Sequence, residues 1–419
     1  MAKKHLVIGS GPAALSALEK IRSISEDDEI KLISMEGYPP YSPSVLPYLL
    51  AGRIDEADIW LRGEGYFRKL NVTFIKDKEV INVLSERKEV VYKDGDHDTY
   101  DTLLIATGSR PAKTIVQGMD EADILGFHIM DDYWSLLREL KGKKDLAIYG
   151  AGLVGIELGM ALLEKGYSIK VIARSRILRR YFDEYVGTAI ENIFRGQGAE
   201  IYTNSEINEV NKNKTGIKLL LSDGRSLETD MLITATGVEP RISFLGGSNI
   251  NTNKGILVDS RMMTNIPDIY AAGDVAESPS FFTGQPGLNP ILPSALSQGK
   301  TAGANMAGEN TDEPGFIAMN ILRFFGNSVF SIGLSAPHDD NYQVLEKKGE
   351  KGQFRRFVYE GDLLIGVMVL NVDIDPGAIH YLIQKRVGIG PNKEVLLEKP
   401  SEISRWLVLE NEKMESKSI

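Results

Sequence analysis

HLVIGSGPAALSALEKI, residues 5–21, is the stretch on which the fold turns. A short β-rich run breaks at Gly9-Ser10-Gly11, and helical spacing then carries Leu15, Leu18 and Ile21. The order is strand, glycine turn, helix. Gly9 permits the tight turn, Gly11 lets the backbone approach a pyrophosphate, and Ala14 keeps the helix close to the strand. The helix N-terminus adds free N–H groups and a positive dipole end. The next strand, EIKLISME, ends in Glu36, placed to accept hydrogen bonds from ribose hydroxyls. A lone GxGxxA is a weak signal because glycine turns serve many loops. With a strand before it, a helix after it and a terminal acid, dinucleotide binding is the better reading.

A second copy lies at residues 145–176, DLAIYGAGLVGIELGMALLEKGYSIKVIARSR, with Gly150, Gly152 and Gly155 as a full GxGxxG. Two echoes follow the two cradles: YDTLLIATGSRP (100–111) and TDMLITATGVEPR (229–241) are both β-rich runs ending in Ala-Thr-Gly. IPDIYAAGDVAE (266–277) then places Asp274 after a small-residue strand, where a carboxylate reaches a ribityl hydroxyl or simply caps a helix. Two cradles in one chain imply two dinucleotides.

GSGPAA, LLIATGSRP, GAGLVGIELG, ATGVEP and YAAGDVA, in this order, resemble the FAD-dependent pyridine nucleotide-disulfide oxidoreductase family over about residues 3–310. The resemblance implies an α/β fold with two Rossmann-like domains and a C-terminal α+β domain. The expected bounds are 1–112 with 241–320 for FAD, 113–240 for NAD(P), 321–405 for the α+β part and 406–419 for a polar tail that frays. It implies FAD on Gly9, Gly11, Pro12, Ala13, Ala14, Glu36, Ala106, Thr107, Gly108, Gly273, Asp274 and Ser294. It implies NAD or NADP on Gly150, Gly152, Leu153, Val154, Gly155, Glu157, Arg174 and Gly237. NPILPSALSQGKTAGANMAG (289–308) resembles the family helix whose N-terminus faces the flavin, and its small residues equally suit close packing. Glu157 resembles a family acid near flavin and nicotinamide; a surface helix acid is the plain alternative.

Family members that reduce disulfides, persulfides or oxygen carry a segment like Tyr-x-x-Cys-x-Leu-Pro-Tyr. Here it reads Tyr41-Ser42-Pro43-Ser44-Val45-Leu46-Pro47-Tyr48, and the whole chain has no cysteine. A serine hydroxyl stores no electrons, so a thiol relay is excluded. Ser44 is left to hydrogen-bond the flavin or a neighbour, or to cap the helix after it. The runs at 330–335 and 361–387 resemble the C-terminal domain of the cysteine-free electron-transfer branch, as in NADH-dependent rubredoxin reductases and the flavin modules of nitrite reductases. The resemblance extends to the FAD subunit of phenylglyoxylate dehydrogenase and tungsten aldehyde oxidoreductase complexes. It implies an iron–sulfur protein as electron partner; an oxidase or diaphorase using oxygen or quinones is the rival enzyme, and a nucleotide-holding sensor without turnover the rival from another class.

Composition narrows the rest. At 419 residues the chain is long enough for about three domains. A net charge of −10 repels phosphate backbones, which sets nucleic acid aside. Five scattered histidines (5, 97, 128, 338 and 380) show no metal-ligand spacing, so no metal is expected. MAKKHLVIGSGPAA has no apolar signal core and no run approaches a membrane span, which points to the cytoplasm. The strand SIKVIA ends in Ala173 rather than an acid, followed by Arg174, Ser175 and Arg176. Guanidiniums there suit a 2′-phosphate, whereas the resemblance implies NAD; a solvated basic turn with Arg179 and Arg180 is the third reading.

Overall fold

The computed structural model describes residues 2–119, 125–213, 216–337 and 341–417. They cluster into two compact units, Met1–Lys113 with His128–Trp134 and Gly237–Phe316, and Thr114–Phe127 with Ser135–Thr236 and Ile317–Ile419. His338 lies outside the described residues.

The first unit is built on a five-stranded parallel sheet in the order Ile269–Ala271, Thr102–Ile105, Lys4–Ile8, Glu29–Ile33, Val72–Ile75. Its central strands are apolar on both faces, with Val7, Leu32, Leu103, Leu104 and Ile105 fully buried. Parallel sheets covered on both sides read this way. The N-terminal strand lies between Glu29–Ile33 and Thr102–Ile105, so the chain reverses direction across the sheet there, and ligands of such sheets bind beyond the carboxyl ends at that point. Helix Pro12–Ile24 starts on Pro12, whose fixed φ suits a first turn, and buries Ala14, Leu18 and Ile21 on one stripe. Helix Leu292–Met306 packs along it. A Cβ at Gly299 would overlap the Ala13 carbonyl, and one at Gly303 would lie 2.5 Å from that of Ala17. Only glycine lets the two backbones come so close.

In the second unit a four-stranded parallel sheet runs Glu200–Tyr202, Ser168–Ile172, Asp145–Tyr149, Met231–Thr234. Helix Leu153–Glu164 follows its glycine turn. A five-stranded antiparallel sheet in the order Met319–Phe324, Asn327–Gly333, Leu363–Leu370, Phe354–Glu360, Gln343–Lys348 carries helix Pro376–Gln384. This is an α+β arrangement. Arg356 Nη2 reaches Asp183 Oδ2 at 2.7 Å, and Phe194 stacks on Phe324 at 5.8 Å, so this sheet and the parallel one form one body.

Three features differ from the sequence reading. The α+β part, expected over 321–405 as a domain of its own, clusters with the second cradle's sheet in one unit. Residues 128–134 belong to the first unit, because the Asp132 carboxylate accepts from His128 and Ile129 N–H, Tyr41 Oη accepts from Met130 N–H, and Tyr38 donates to Asp131. The polar end is helical rather than frayed: Pro400–Lys417 buries Pro400, Ser404 and Leu407 at helical spacing against helices Pro376–Gln384 and Lys393–Glu398.

Candidate cofactor cavity and second cradle

A cavity of about 410 Å³ opens at the carboxyl end of the first unit's parallel sheet. That is within the range of small-molecule sites. Gly9 has φ +101°, and a Cβ there would collide with the Ala106 carbonyl, so the first turn is pressed against the first Ala-Thr-Gly turn. At Gly11 the opposite holds. A Cβ would meet nothing within 4 Å, and the helix behind it has no side-chain cap, which leaves its first N–H groups for a ligand. An open position beside uncapped donors fits a pyrophosphate.

Glu36 lies on the cavity wall, half-buried, with one carboxylate oxygen held by the Tyr41 hydroxyl at 2.6 Å. Burial pushes its carboxyl up from the ordinary value, and the Tyr41 hydrogen bond pulls the other way. No described residue donates to its second oxygen. Asp274 Oδ2 accepts from Ser109 Oγ at 2.9 Å, and Gly273 N–H donates to Gln298 Oε1 at 2.8 Å. The aspartate is therefore held by strand Ser109–Pro111, the glycine before it by helix Leu292–Met306, and no helix follows for it to cap.

The cavity also gathers Gly9, Pro12, Ala13, Ala106, Thr107, Gly108 and Gly273. Ala14 is off its wall, fully buried in the core. So is Ser294, whose hydroxyl accepts from Asn289 at 2.6 Å, while its neighbour Ala295 does line the cavity. Ser44 is exposed and off the wall as well, its hydroxyl 2.8 Å from that of Ser42; helix Leu46–Ala51 has no side-chain cap.

Residues without a motif complete the wall. Lys78 to Ile81, His128, Arg241 and Phe244 all line it. His128 Nε2 and Arg241 Nε both lie against the Ser109 carbonyl, at 3.0 and 2.9 Å, and burial pushes both groups below their ordinary values. Arg241 sits directly after ATGVEP and was within reach of a sequence argument. Lys78 to Ile81 carry no local signal.

The second cradle repeats the geometry. Gly150 has φ +117° against the Ala235 carbonyl, Gly152 is open, and a Cβ on Gly155 would strike the Gly150 carbonyl. Leu153 is half-buried and Val154 is 36% exposed. Glu157 is half-buried with no donor among the described residues, and burial alone pushes its carboxyl up to about 7. Arg174 is exposed, and Gly237 opens the first unit's last segment, beside the strand Val238–Pro240. The first glycine turn, Glu36, the first Ala-Thr-Gly turn and Gly273-Asp274 thus line one cavity, and Gly237 belongs to the first unit while the other second-cradle residues belong to the second.

Among the described residues no cluster of three or more His, Asp or Glu could hold a metal, and no helix is long and apolar enough to cross a membrane.

The family model for pyridine nucleotide-disulphide oxidoreductases matches residues 3–299. The chain is 32% identical over 410 residues to the NADH-dependent phenylglyoxylate dehydrogenase subunit epsilon of Aromatoleum evansii, covering 97% of each. It is 33% identical over 331 residues to the NADH-rubredoxin oxidoreductase of Clostridium acetobutylicum, covering 79% of this chain and 81% of that one. An engineered water-forming NADPH oxidase bound to NADPH, a variant of the water-forming NADH oxidase of Lactobacillus brevis, superposes with a TM-score of 0.85 at 22% identity, covering 92% of each chain. The two glycine turns, the cavity beside the first of them and these similarities agree: the chain belongs to the pyridine nucleotide-disulphide oxidoreductase family and is a flavin-dependent oxidoreductase that uses FAD and NAD(P)H.

Proposed function

We propose that this chain moves electrons between NAD(P)H and a protein carrier, the carrier being an iron–sulfur subunit of a larger oxidoreductase complex in the cytoplasm. The observation that carries the reading is the absence of any thiol: the chain has no cysteine, and Ser44, at the family's thiol position, is exposed and paired with Ser42. Electrons that cannot pass to a thiol leave the flavin directly for an external acceptor. The relatives support the carrier, since one is named as a dehydrogenase subunit and another as a rubredoxin oxidoreductase.

FAD supplies the conversion between two-electron and one-electron transfer when bound. The chain's own residues hold it: the open Gly11 turn for the pyrophosphate, the free oxygen of Glu36 for ribose hydroxyls and Asp274 for the ribityl chain. Gly150, Gly152, Leu153, Val154 and Gly155 hold the nicotinamide dinucleotide, with Glu157 beside it. The engineered oxidase bears on the donor. In it an aspartate became alanine, the next two residues became arginine and serine, and the residue seven places beyond the aspartate became arginine. This chain carries Ala173, Arg174 and Ser175 in that order, with Arg179 and Arg180 six and seven places beyond Ala173. A fifth change there, glycine to alanine, falls eighteen places before the aspartate; that offset is Gly155 here, which remains glycine.

The test is anaerobic reduction of the yellow protein by NAD(P)H, followed by mixing with separate acceptors. Dyes and a small iron–sulfur protein should reoxidise it fast, oxygen slowly and coenzyme A disulfide not at all. Oxygen matching the protein acceptor would make the chain an oxidase and end the carrier reading.

A further inference from the structure

The loop between strand Ser168–Ile172 and helix Glu184–Gly196 contains four arginines, and the structure separates their roles. We propose that the physiological donor is NADPH, with Arg174 binding its 2′-phosphate, Arg179 and Arg180 adding positive charge around it, and Arg176 holding the loop in place. The proposal rests on the second cradle being the nicotinamide site.

Ala173 is 4% exposed, and its backbone is tied on both sides, its N–H donating to Tyr202 O at 2.8 Å and its carbonyl accepting from Ser205 N–H at 3.0 Å. The strand end therefore offers no carboxylate for a ribose 2′-hydroxyl, and none that would repel a phosphate dianion. Arg176 is already committed. Its Nη1 donates to the Asp183 carbonyl at 3.0 Å, its Nη2 approaches that of Arg179 at 3.4 Å, and a Cβ at Gly187 would lie 2.9 Å from Nη1. That arginine fastens the loop to the start of the helix. Asp183 is equally occupied: its side chain accepts from Val186 N–H at 2.9 Å and meets Arg356 at 2.7 Å.

Arg174 is different. Its side chain is 68% exposed and makes no described hydrogen bond; its nearest acid is Glu206, with Nε at 3.8 Å. Exposed pairs at such length contribute about 0–1 kcal/mol, so Glu206 is a weak competitor for a guanidinium that a phosphate can engage with two parallel bonds. Arg179 and Arg180 are exposed on the same loop. In a chain of net charge −10 this is a local concentration of positive charge, at the place where the two dinucleotides differ.

The experiment uses the holoprotein and two readouts. Stopped-flow flavin reduction gives kcat/KM for NADPH and NADH, and calorimetry gives the affinity of adenosine 2′,5′-bisphosphate relative to 5′-AMP. A charge-assisted phosphate contact corresponds to a preference of about ten-fold or more for NADPH and for the bisphosphate. Arg174→Ala should lower both ratios by about ten-fold, and Glu206→Gln should raise them. Arg176→Gln should lower thermal stability and affect both donors together. Preference for NADH with ratios unmoved by Arg174→Ala, or equal binding of bisphosphate and 5′-AMP, overturns the proposal and leaves the flavoprotein reading intact. If neither nicotinamide bleaches the flavin, the proposed function fails instead, and the calorimetric ratio still decides the phosphate site.

Discussion

The two cradles share a turn and differ in what surrounds it. In both, the first glycine has positive φ and presses on the alanine carbonyl of an Ala-Thr-Gly turn, and in both the second glycine faces open space. The acid that ends the next strand separates them. In the first cradle Glu36 is half-buried, anchored by Tyr41, and set in a wall with Asp274, His128 and Arg241. In the second that position is Ala173, and the groups after it are exposed arginines. Side chains fixed before binding lose little entropy on binding and favour tight retention. Exposed, mobile cations favour rapid exchange. The difference suits a resident FAD and a nicotinamide that comes and goes.

The largest expected effect breaks the shared part. Gly9→Ala and Gly150→Ala each place a Cβ into a carbonyl at positive φ, at a cost of about 3 kcal/mol or more. Gly9→Ala should give protein purified without flavin and with a lowered Tm. Gly150→Ala should keep the flavin spectrum while losing reduction by NAD(P)H. Identical outcomes for the pair would erase the assignment of one cradle to each nucleotide.

The second glycines sharpen the same contrast without disturbing the fold, because nothing lies within 4 Å of an added Cβ at Gly11 or Gly152. Gly11→Val should yield a folded, colourless chain, and Gly152→Val a yellow one that nicotinamide bleaches at least about 100-fold more slowly, as expected when a phosphate loses its backbone donors. Circular dichroism establishes folding, and the absorbance spectrum decides the rest. A Gly11→Val protein with full flavin content would show that the pyrophosphate lies elsewhere.

Glu157 offers a smaller test, because it is the second cradle's acid without a donor where Glu36 has Tyr41. Its folded-state pKa is raised from the ordinary 4.5 to about 7. Between those values the folded chain keeps a proton that the unfolded chain has lost. Stability therefore falls as pH rises through this window and levels off above about pH 7. Glu157→Gln removes the penalty. At pH 8 the variant should be more stable by about 2 kcal/mol, less than the full shift implies because the side chain is only half-buried. Near pH 4.5 the two proteins should unfold alike. Parallel Tm curves from pH 5 to 8 would mean that the acid has a partner.

How much was legible follows from the range of the signals. The cradles, the Ala-Thr-Gly turns and Asp274 were readable because each is a local pattern in which glycine or an acid is required by geometry. The α+β C-terminal part was readable from strand and helix periodicity. The wall at Lys78 to Ile81 was not, since an edge strand of a small antiparallel sheet has no motif and reaches the cavity only through tertiary packing. The placement of residues 128–134 in the first unit has no local signal, because the hydroxyls of Tyr38 and Tyr41 that hold them lie about ninety positions earlier in the chain. The last helix is hidden by its polarity: of the three described residues it buries, Pro400, Ser404 and Leu407, only the leucine carries an apolar signal.

Ser44 marks the smallest expected effect and tests where the first cradle's cavity stops. Family resemblance places a reactive thiol there, yet this serine is exposed, bonded to Ser42 and off the cavity wall that its neighbour Pro43 reaches. An exposed hydroxyl whose one partner is the Ser42 hydroxyl contributes no more than about 0.5 kcal/mol. Ser44→Ala should therefore leave Tm, the flavin spectrum and the reoxidation rates with dye and iron–sulfur acceptors unchanged within error. Tyr41→Phe, five residues from Glu36, removes the donor to that acid and the acceptor for Met130 N–H, so it should weaken FAD retention measurably. If Ser44→Ala instead shifts the flavin spectrum as Tyr41→Phe does, the serine turns toward the cofactor when FAD is bound, and the boundary between an anchored wall and an inert surface moves to include it.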